Sequence, residues 1–455
     1  MTDFRASAHS VPIESTEQLV EQFHRSAKPR AAWKIGTEYE KLAVDAATGQ
    51  AAPFAGPRGI ERLLVLLAER FGWEPREEEG ATIALARDGV SITLEPGGQI
   101  ELAGRPVDTV HDAEDEVTSH VHELTTVGRD LGMAFLGLGC HPVSTLDDIS
   151  WVPKQRYRIM RDYMARVGTL GHRMMKQTAT VQANIDFDSE RDAMVKLRVG
   201  MGIAPVVNAI FANSPLVDGD ASGHLSFRGH VWTDTDRARC GLLPFAFRDD
   251  AGFADYVAWA LDVPMYFILR EGRYVTDVTG IPFRRYLVDG WNGERATLDD
   301  WNLHLTTLFP EVRLKGFIEF RSADSQRPDR VLALPALAKG LFYDADCQAA
   351  GFDLVKRWSP DQVRELYGEV TRGGFAARLR GVRVGELARE LLGIAAEGLR
   401  RQGALDSQGR DERRYLEPVL EQVERGRTLA DETLGLWKGP WERRIGPLIE
   451  ACAIA

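Results

Sequence analysis

The chain has 455 residues, 44% hydrophobic and 27% charged, the composition of a soluble globular enzyme with room for a large core. A net charge of −11 and the lack of any long Lys/Arg run argue against a nucleic-acid partner. Four cysteines (Cys140, Cys240, Cys347, Cys452) lie far apart without a CxxC pair; this excludes a thiolate zinc site by spacing and predicts a reducing, cytoplasmic setting.

In chain order, the N-terminal MTDFRASAHSVP has no apolar core, so no secretory leader is expected. Ser15 and Gln18 stand at capping-box spacing ahead of Leu19, Val20 and Phe23 and open a first helix. A strand follows at residues 34–43, then a leucine-rich helix at 58–71 closed by Gly72. Residues 91–103 predict a strand with a Pro-Gly-Gly kink, and a long helix from about 108 to 131 ends at Gly132. Residues 134–138 form a short buried strand, 156–167 a helix and 178–187 another strand. Residues 190–212 read as a helix bent near Pro205. The most apolar stretch, 203–217, is broken by Pro205, Asn208 and Asn213, so no membrane span is expected. Residues 213–247 are loop-rich, and loops of that length are usually functional. A hairpin turns at Glu271-Gly272, a helix at 298–308 precedes a strand at 313–324, and the pattern is helical from Pro328 onward. No repeat or clean linker divides the chain. The expectation is a single catalytic unit over 1–455, with a sheet-bearing core over about 30–351 and a helical C-terminal part over about 352–455.

Four of these strands share one design. Alternation puts Glu38 and Glu40 on one face of the first, opposite Ile35 and Tyr39. Gln99 and Glu101 share a face of the second, and the kink can turn Glu95 toward them. Thr180, Gln182, Asn184 and Asp186 line one face of the third; Phe317, Glu319 and Arg321 line one face of the fourth. One Glu-x-Glu is more often a solvated strand face than a site. A face bearing so many carboxylates, with amides and an arginine among them, is costly to bury unless a cation neutralises it. Mg2+ suits the task, because it takes oxygen ligands and bridges carboxylates to phosphates. No GxxxxGK[ST], strand-linked GxGxxG or GxSxG is present. ATP is then expected on the sheet face, held by metal-bound carboxylates and by arginines on phosphate oxygens.

The segments GTEYEKL, LEPGGQIEL, MMKQTATVQANIDF, ANSPLVDG, HVWTDTDRAR, YVAWALDVPMYF and HLTTLFPEVRLKGFIEFRSAD resemble plant-type glutamate–cysteine ligase (γ-glutamylcysteine synthetase). The resemblance runs from about Trp33 to Tyr343. It implies an α+β fold with a curved, mainly antiparallel β-sheet flanked by helices, like glutamine synthetase and the guanidino kinases. It implies ATP- and Mg2+-dependent joining of the L-glutamate γ-carboxylate to the L-cysteine amine through a γ-glutamyl phosphate, the first step of glutathione biosynthesis. A related ligase using another acceptor amine is the alternative. A monomer or weak homodimer is expected, with no nucleic-acid or membrane partner.

By the same resemblance Glu38, Glu40, Glu95, Glu101 and Glu319 match metal-binding positions. Gln182, Asn184, Arg313, Lys315 and Arg321 match nucleotide positions, with Arg321 on the γ-phosphate. Arg228, Trp232 and Thr233 match the segment that holds the glutamate α-carboxylate; Glu319, Arg321 and Arg228 form the catalytic set. Met175 and Thr178, with Met174, match the neighbourhood of the cysteine substrate, although core packing is the simpler reading of the methionine pair. The base for the amine stays open among Asp186, Asp234 and Glu95. Glu319→Gln is expected to abolish activity while sparing the fold. The plant enzymes' two regulatory disulfides have no counterpart, since the matching positions carry Glu114 and Leu332, and Val278 with a shorter loop through Gly293.

Overall fold

The computed structural model describes residues 11–454, so most of the N-terminal stretch inspected for a leader lies outside the described residues. Nine strands among them form one open antiparallel sheet. They are β1 (Ile35–Asp45), β2 (Glu74–Glu78), β3 (Ala81–Arg87), β4 (Val90–Leu94), β5 (Ile100–Ala103), β6 (Met133–Leu136), β7 (Thr180–Ile185), β8 (Val312–Leu314) and β9 (Ile318–Asp324). Their spatial order is β8-β9-β7-β1-β5-β4-β3-β2, and β6 pairs with the far half of β1.

Two of the expected strands are hairpins. Residues 91–103 fold as β4 and β5, because Glu95-Pro96-Gly97-Gly98 closes a turn with Gly98 N–H on the Glu95 carbonyl at 2.9 Å. Gly98 sits at φ +83°, a conformation glycine adopts without strain. Residues 313–324 likewise fold back at Lys315–Phe317, which pairs Arg313 with Glu319 across β8 and β9. Alternation is a local signal and survives a turn, whereas the turn itself depends on which strands find partners. The Ser15 capping box does not close: Ser15 makes no side-chain cap bond, and Gln18 accepts from Glu14 N–H instead.

The apolar face of the sheet (Ile35, Tyr39, Ile100, Val181, Ile318, Phe320) is buried under helices. These include α1 (Val110–Leu131), α2 (Glu190–Ile210), α4 (Ala333–Phe342) and α5 (Val384–Gln402), whereas the short helix α3 (Phe227–Trp232) stands beside β9 with its own small apolar cluster. The expected stops hold where glycine supplies the left-handed residue, as at Gly132 (φ +66°) after α1. Pro205 lies inside α2 without ending it. That helix is long and apolar enough to cross a membrane, yet 94% of its most apolar window is buried inside the protein, which makes it a core helix. Phe320 of β9 stacks on Phe342 of α4 at 5.2 Å between ring centroids. Behind α4, α5 crosses backbone to backbone: a Cβ on Gly398 would stand 1.8 Å from the Gly340 carbonyl oxygen.

That contact leaves no room for a methyl group. Gly398→Ala should therefore force α4 and α5 apart and cost about 3 kcal/mol or more of unfolding free energy, the upper end for overpacking. Denaturant unfolding measures this, and a variant as stable as the parent would show that the crossing yields without cost.

Candidate active site

Pairing places the acidic residues on one face. In β1, Glu38 lies opposite Gln182 of β7, and Glu40 lies directly opposite Glu101 of β5. Like charges in that cross-strand position repel. Glu40 accepts the Thr180 N–H at 3.0 Å, and Glu101 accepts the Thr93 hydroxyl. Glu38 accepts from Asn184 Nδ2 at 3.0 Å. Burial first, then Glu95 and Glu101, push Glu40 well above the usual carboxylate range. Burial, then Glu319 and Glu101, push Glu38 up to about 7. Glu95, half-buried in the turn, is close enough to add to this field.

Glu319 has the opposite surroundings. Its fully buried carboxylate accepts from Arg313 Nε (2.6 Å) and Nη2 (2.9 Å), Lys315 Nζ (3.1 Å) and Arg321 Nη1 (2.8 Å). Burial would raise its pKa, but Arg313, Lys315 and Arg321 overcome that and hold it well below the ordinary value. Among the described residues no three His, Cys, Asp or Glu side chains are close enough together to hold a metal ion as they stand.

Alternation along β9 keeps Arg321 on the face of Glu319, and its Nη1 also donates to Gln182 Oε1 at 2.7 Å; the β7–β9 register shifts between Phe320 and Ala323. The region expected as loop contains α3, whose Ser226 cap accepts from Gly229 N–H. Ser226 ahead of Phe227, Val231 and Trp232 was the available signal for this helix. It carries Arg228, which is buried and donates from Nη2 to the Arg321 carbonyl at 2.9 Å; its Nη1 is buried without a hydrogen-bond partner. The Trp232 ring lies 5.8 Å from both the Arg228 and the Arg321 guanidinium carbons, so one indole joins the two cations.

Other expected residues stand apart from this group. Thr233 is exposed, and its hydroxyl donates to the His230 carbonyl at the end of its own helix. Met175 is buried in the main core; its carbonyl and that of Thr178 accept from Gln99 Nε2, while the Thr178 hydroxyl donates to the Met174 carbonyl. Asp186 is engaged by Lys28 Nζ and Lys34 N–H, and Asp234 by the Thr169 hydroxyl. Not foreseen were Asp324, Ser214 and Ser226, which knit the end of β9 to α3. All four cysteines are free.

The fold matches that of a solved glutamate–cysteine ligase from Francisella tularensis, in complex with AMP. The TM-score is 0.57, at 14% identity, over 92% of this chain and 87% of that one. That likeness is one of fold; the class of protein comes from the family. The glutamate–cysteine ligase family 2 model matches residues 34–451, and the chain belongs to that family. It is 41% identical to glutamate–cysteine ligase B of Oryza sativa subsp. japonica, over 98% of this chain and 90% of that one. It is 42% identical to the Brassica juncea enzyme (95% and 83% covered) and 41% identical to the Arabidopsis thaliana enzyme (95% and 82%). The protein is thus a ligase, a glutamate–cysteine ligase acting at the first step of glutathione biosynthesis, and a different acceptor amine is not favoured. These relatives are chloroplastic, which overturns the expected cytoplasmic setting. Sparse, unpaired cysteines mark a reducing compartment but do not say which one.

The charge hub corrects the expectation that Glu319→Gln spares the fold. Removing its charge leaves three buried or half-buried cations without their shared anion, which should cost about 3–5 kcal/mol. Thermal or denaturant unfolding measures this, and unchanged stability would remove the hub role. Glu38 sets a pH test. Its raised native pKa stabilises the cation-free protein fully below the ordinary 4.5, and that contribution is lost as pH rises through about 7. The unfolding free energy of wild type minus Glu38→Gln should therefore fall over that window, and a flat difference would contradict the shift.

Proposed function

We propose that this chain uses ATP and Mg2+ to join the γ-carboxylate of L-glutamate to the amine of L-cysteine through a γ-glutamyl phosphate. The observation that carries this reading is the division of one sheet face into two halves. One half holds carboxylates crowded beyond what their own partners neutralise; the other holds guanidiniums around Glu319, Trp232 and Arg228.

The crowded half fits a hard divalent cation. Its donors are carboxylate oxygens, and Glu38 and Glu40 carry raised pKa values that a bound cation would bring down. Glu38, Glu40, Glu95 and Glu101 would hold Mg2+, with Glu319 at the border between that set and the arginines. When bound, the ion offsets the charge of the phosphates and of the carboxylate that attacks them. A cavity of about 510 Å³ opens beside Glu38 and Asn184; Lys28, Lys34, Arg76 and Arg87 line it together with Glu74, Asp88 and Asp186, and its cations would meet the phosphates of a nucleotide. Arg321, steadied by Gln182 and Glu319, would stabilise charge on the transferring γ-phosphoryl group, with Arg313 and Lys315 keeping Glu319 anionic beneath it. Arg228 Nη1 would meet the glutamate α-carboxylate. Phosphoryl transfer to the γ-carboxylate makes an acyl phosphate; the cysteine amine attacks its carbonyl, and phosphate leaves. Met175 and Thr178 would border the cysteine through their backbone, and Thr233 would close the end of the helix bearing Arg228. The same reading takes the chain as one catalytic unit, since a continuous core joins Ile13 to Ile454.

Product analysis with ATP, Mg2+, glutamate and a panel of amines tests the reading. γ-Glutamylcysteine, ADP and phosphate are expected, and faster use of another amine would overturn it. Arg228→Lys should lose a charge-assisted bond worth about 1.5–3 kcal/mol, read as roughly a ten- to hundredfold rise in glutamate KM. An equal rise in ATP KM would assign Arg228 to phosphate instead.

A further inference from the structure

We infer that Asp324 is a positioning residue for Arg228: its carboxylate sets the seat of the short helix α3 and so aims the guanidinium into the site. The inference rests on the reading that Arg228 holds the glutamate α-carboxylate.

Asp324 ends β9 and is fully buried. Oδ2 accepts the Asn213 N–H at 2.8 Å and the Ser214 hydroxyl at 2.6 Å; Oδ1 accepts the Ser226 hydroxyl at 2.8 Å. Each serine hydroxyl has one proton to give, and Asp324 takes both. Their lone pairs are thereby left for α3. Ser214 Oγ accepts the Arg228 N–H at 3.1 Å, and Ser226 Oγ accepts the Gly229 N–H at 3.0 Å as the helix cap. Asn208 Nδ2 adds a third bond to Ser226 Oγ at 3.1 Å, so that hydroxyl has no freedom to turn.

An amide could not do the same work. One of its two ends is an NH2 donor, and all three partners of Asp324 present donors. Nor is there room to adjust, since a Cβ on Gly139 would lie 2.4 Å from Asp324 Cγ. The other end of Arg228 is fixed by the same strand, because Nη2 donates to the Arg321 carbonyl. β9 therefore fixes the backbone of Arg228 through Asp324 and Ser214 and its head through Arg321. What remains free is Nη1, the nitrogen without a partner.

The test is steady-state kinetics on the full chain. Asp324→Asn should raise glutamate KM by about tenfold or more while ATP and cysteine KM stay within about twofold. Arg228→Lys in the Asp324→Asn background should add far less than it does alone, because the two residues act as one unit. A fall in kcat or in folded fraction without the glutamate-selective KM change, or full additivity with Arg228→Lys, would overturn the inference. Should Asp324→Asn fail to fold, Ser214→Ala and Ser226→Ala decide: both are expected to raise glutamate KM selectively, and unchanged values in both would overturn it. Arg228→Lys alone separates the two levels. If it leaves glutamate KM unchanged, the glutamate reading falls and the inference with it; if it raises glutamate KM while Asp324→Asn and both serine variants do not, only the positioning role falls.

Discussion

Glu40 and Glu101 face each other on neighbouring strands of a buried sheet, with Glu38 and Glu95 close by. Carboxylates in that arrangement must be neutralised by protons, by fixed cations or by a bound ion. The sheet uses one answer at its edge and another in its middle. At β8 and β9 the protein supplies its own cations, and Glu319 is held ionised by Arg313, Lys315 and Arg321. At β1 and β5 it supplies almost none, so Glu38 and Glu40 hold protons more tightly than an ordinary glutamate does. This asymmetry runs across one continuous antiparallel ladder, which explains why the site is built on strands. Only a rigid ladder keeps like charges this close without letting them swing apart.

The helices make that ladder affordable. They cover the apolar face with a close-packed layer in which Gly340 and Gly398 let two helix backbones approach to contact and Gly200 makes room for the Phe320 ring. The polar face is then finished by short segments rather than by long elements: the Glu95–Gly98 turn, the irregularity in β9, and α3. Alternation in β9 sets Arg321 toward Gln182, and the seat of α3 on Asp324 brings Arg228 beside it. The Trp232 ring lies 5.8 Å from both guanidinium carbons and so joins the Arg228 and Arg321 ends of the face.

Family membership and this geometry support each other without overlapping. The match over residues 34–451 says what kind of reaction the chain performs. The geometry says how the work is divided: crowded carboxylates on β1 and β5, cationic support on β8 and β9, and Arg228 with one unpartnered nitrogen at the junction. Thr233, Met175 and Thr178 turn their side chains to their own helix or to the core, so any contact they make with substrate comes through backbone or position.

Much was legible in the residues alone. Period-two alternation put Glu38 with Glu40, and Gln182 with Asn184, on shared faces, because side-chain direction in a strand depends only on neighbours in sequence. Gly72 and Gly132 ended their helices for an equally local reason, the left-handed residue that closes a helix. Partner choice was not legible. Residues 91–103 and 313–324 alternate as single strands, and only pairing with β1 and β7 folds each into a hairpin and sets Arg313 against Glu319. Nor could sequence show that three cations share Glu319, or that Asp324, Ser214 and Ser226 meet, since these residues lie up to 110 positions apart. The sequence by itself determined which side chains share a face; tertiary structure decided which charges meet, because burial and pairing are properties of the assembled sheet and not of any one strand.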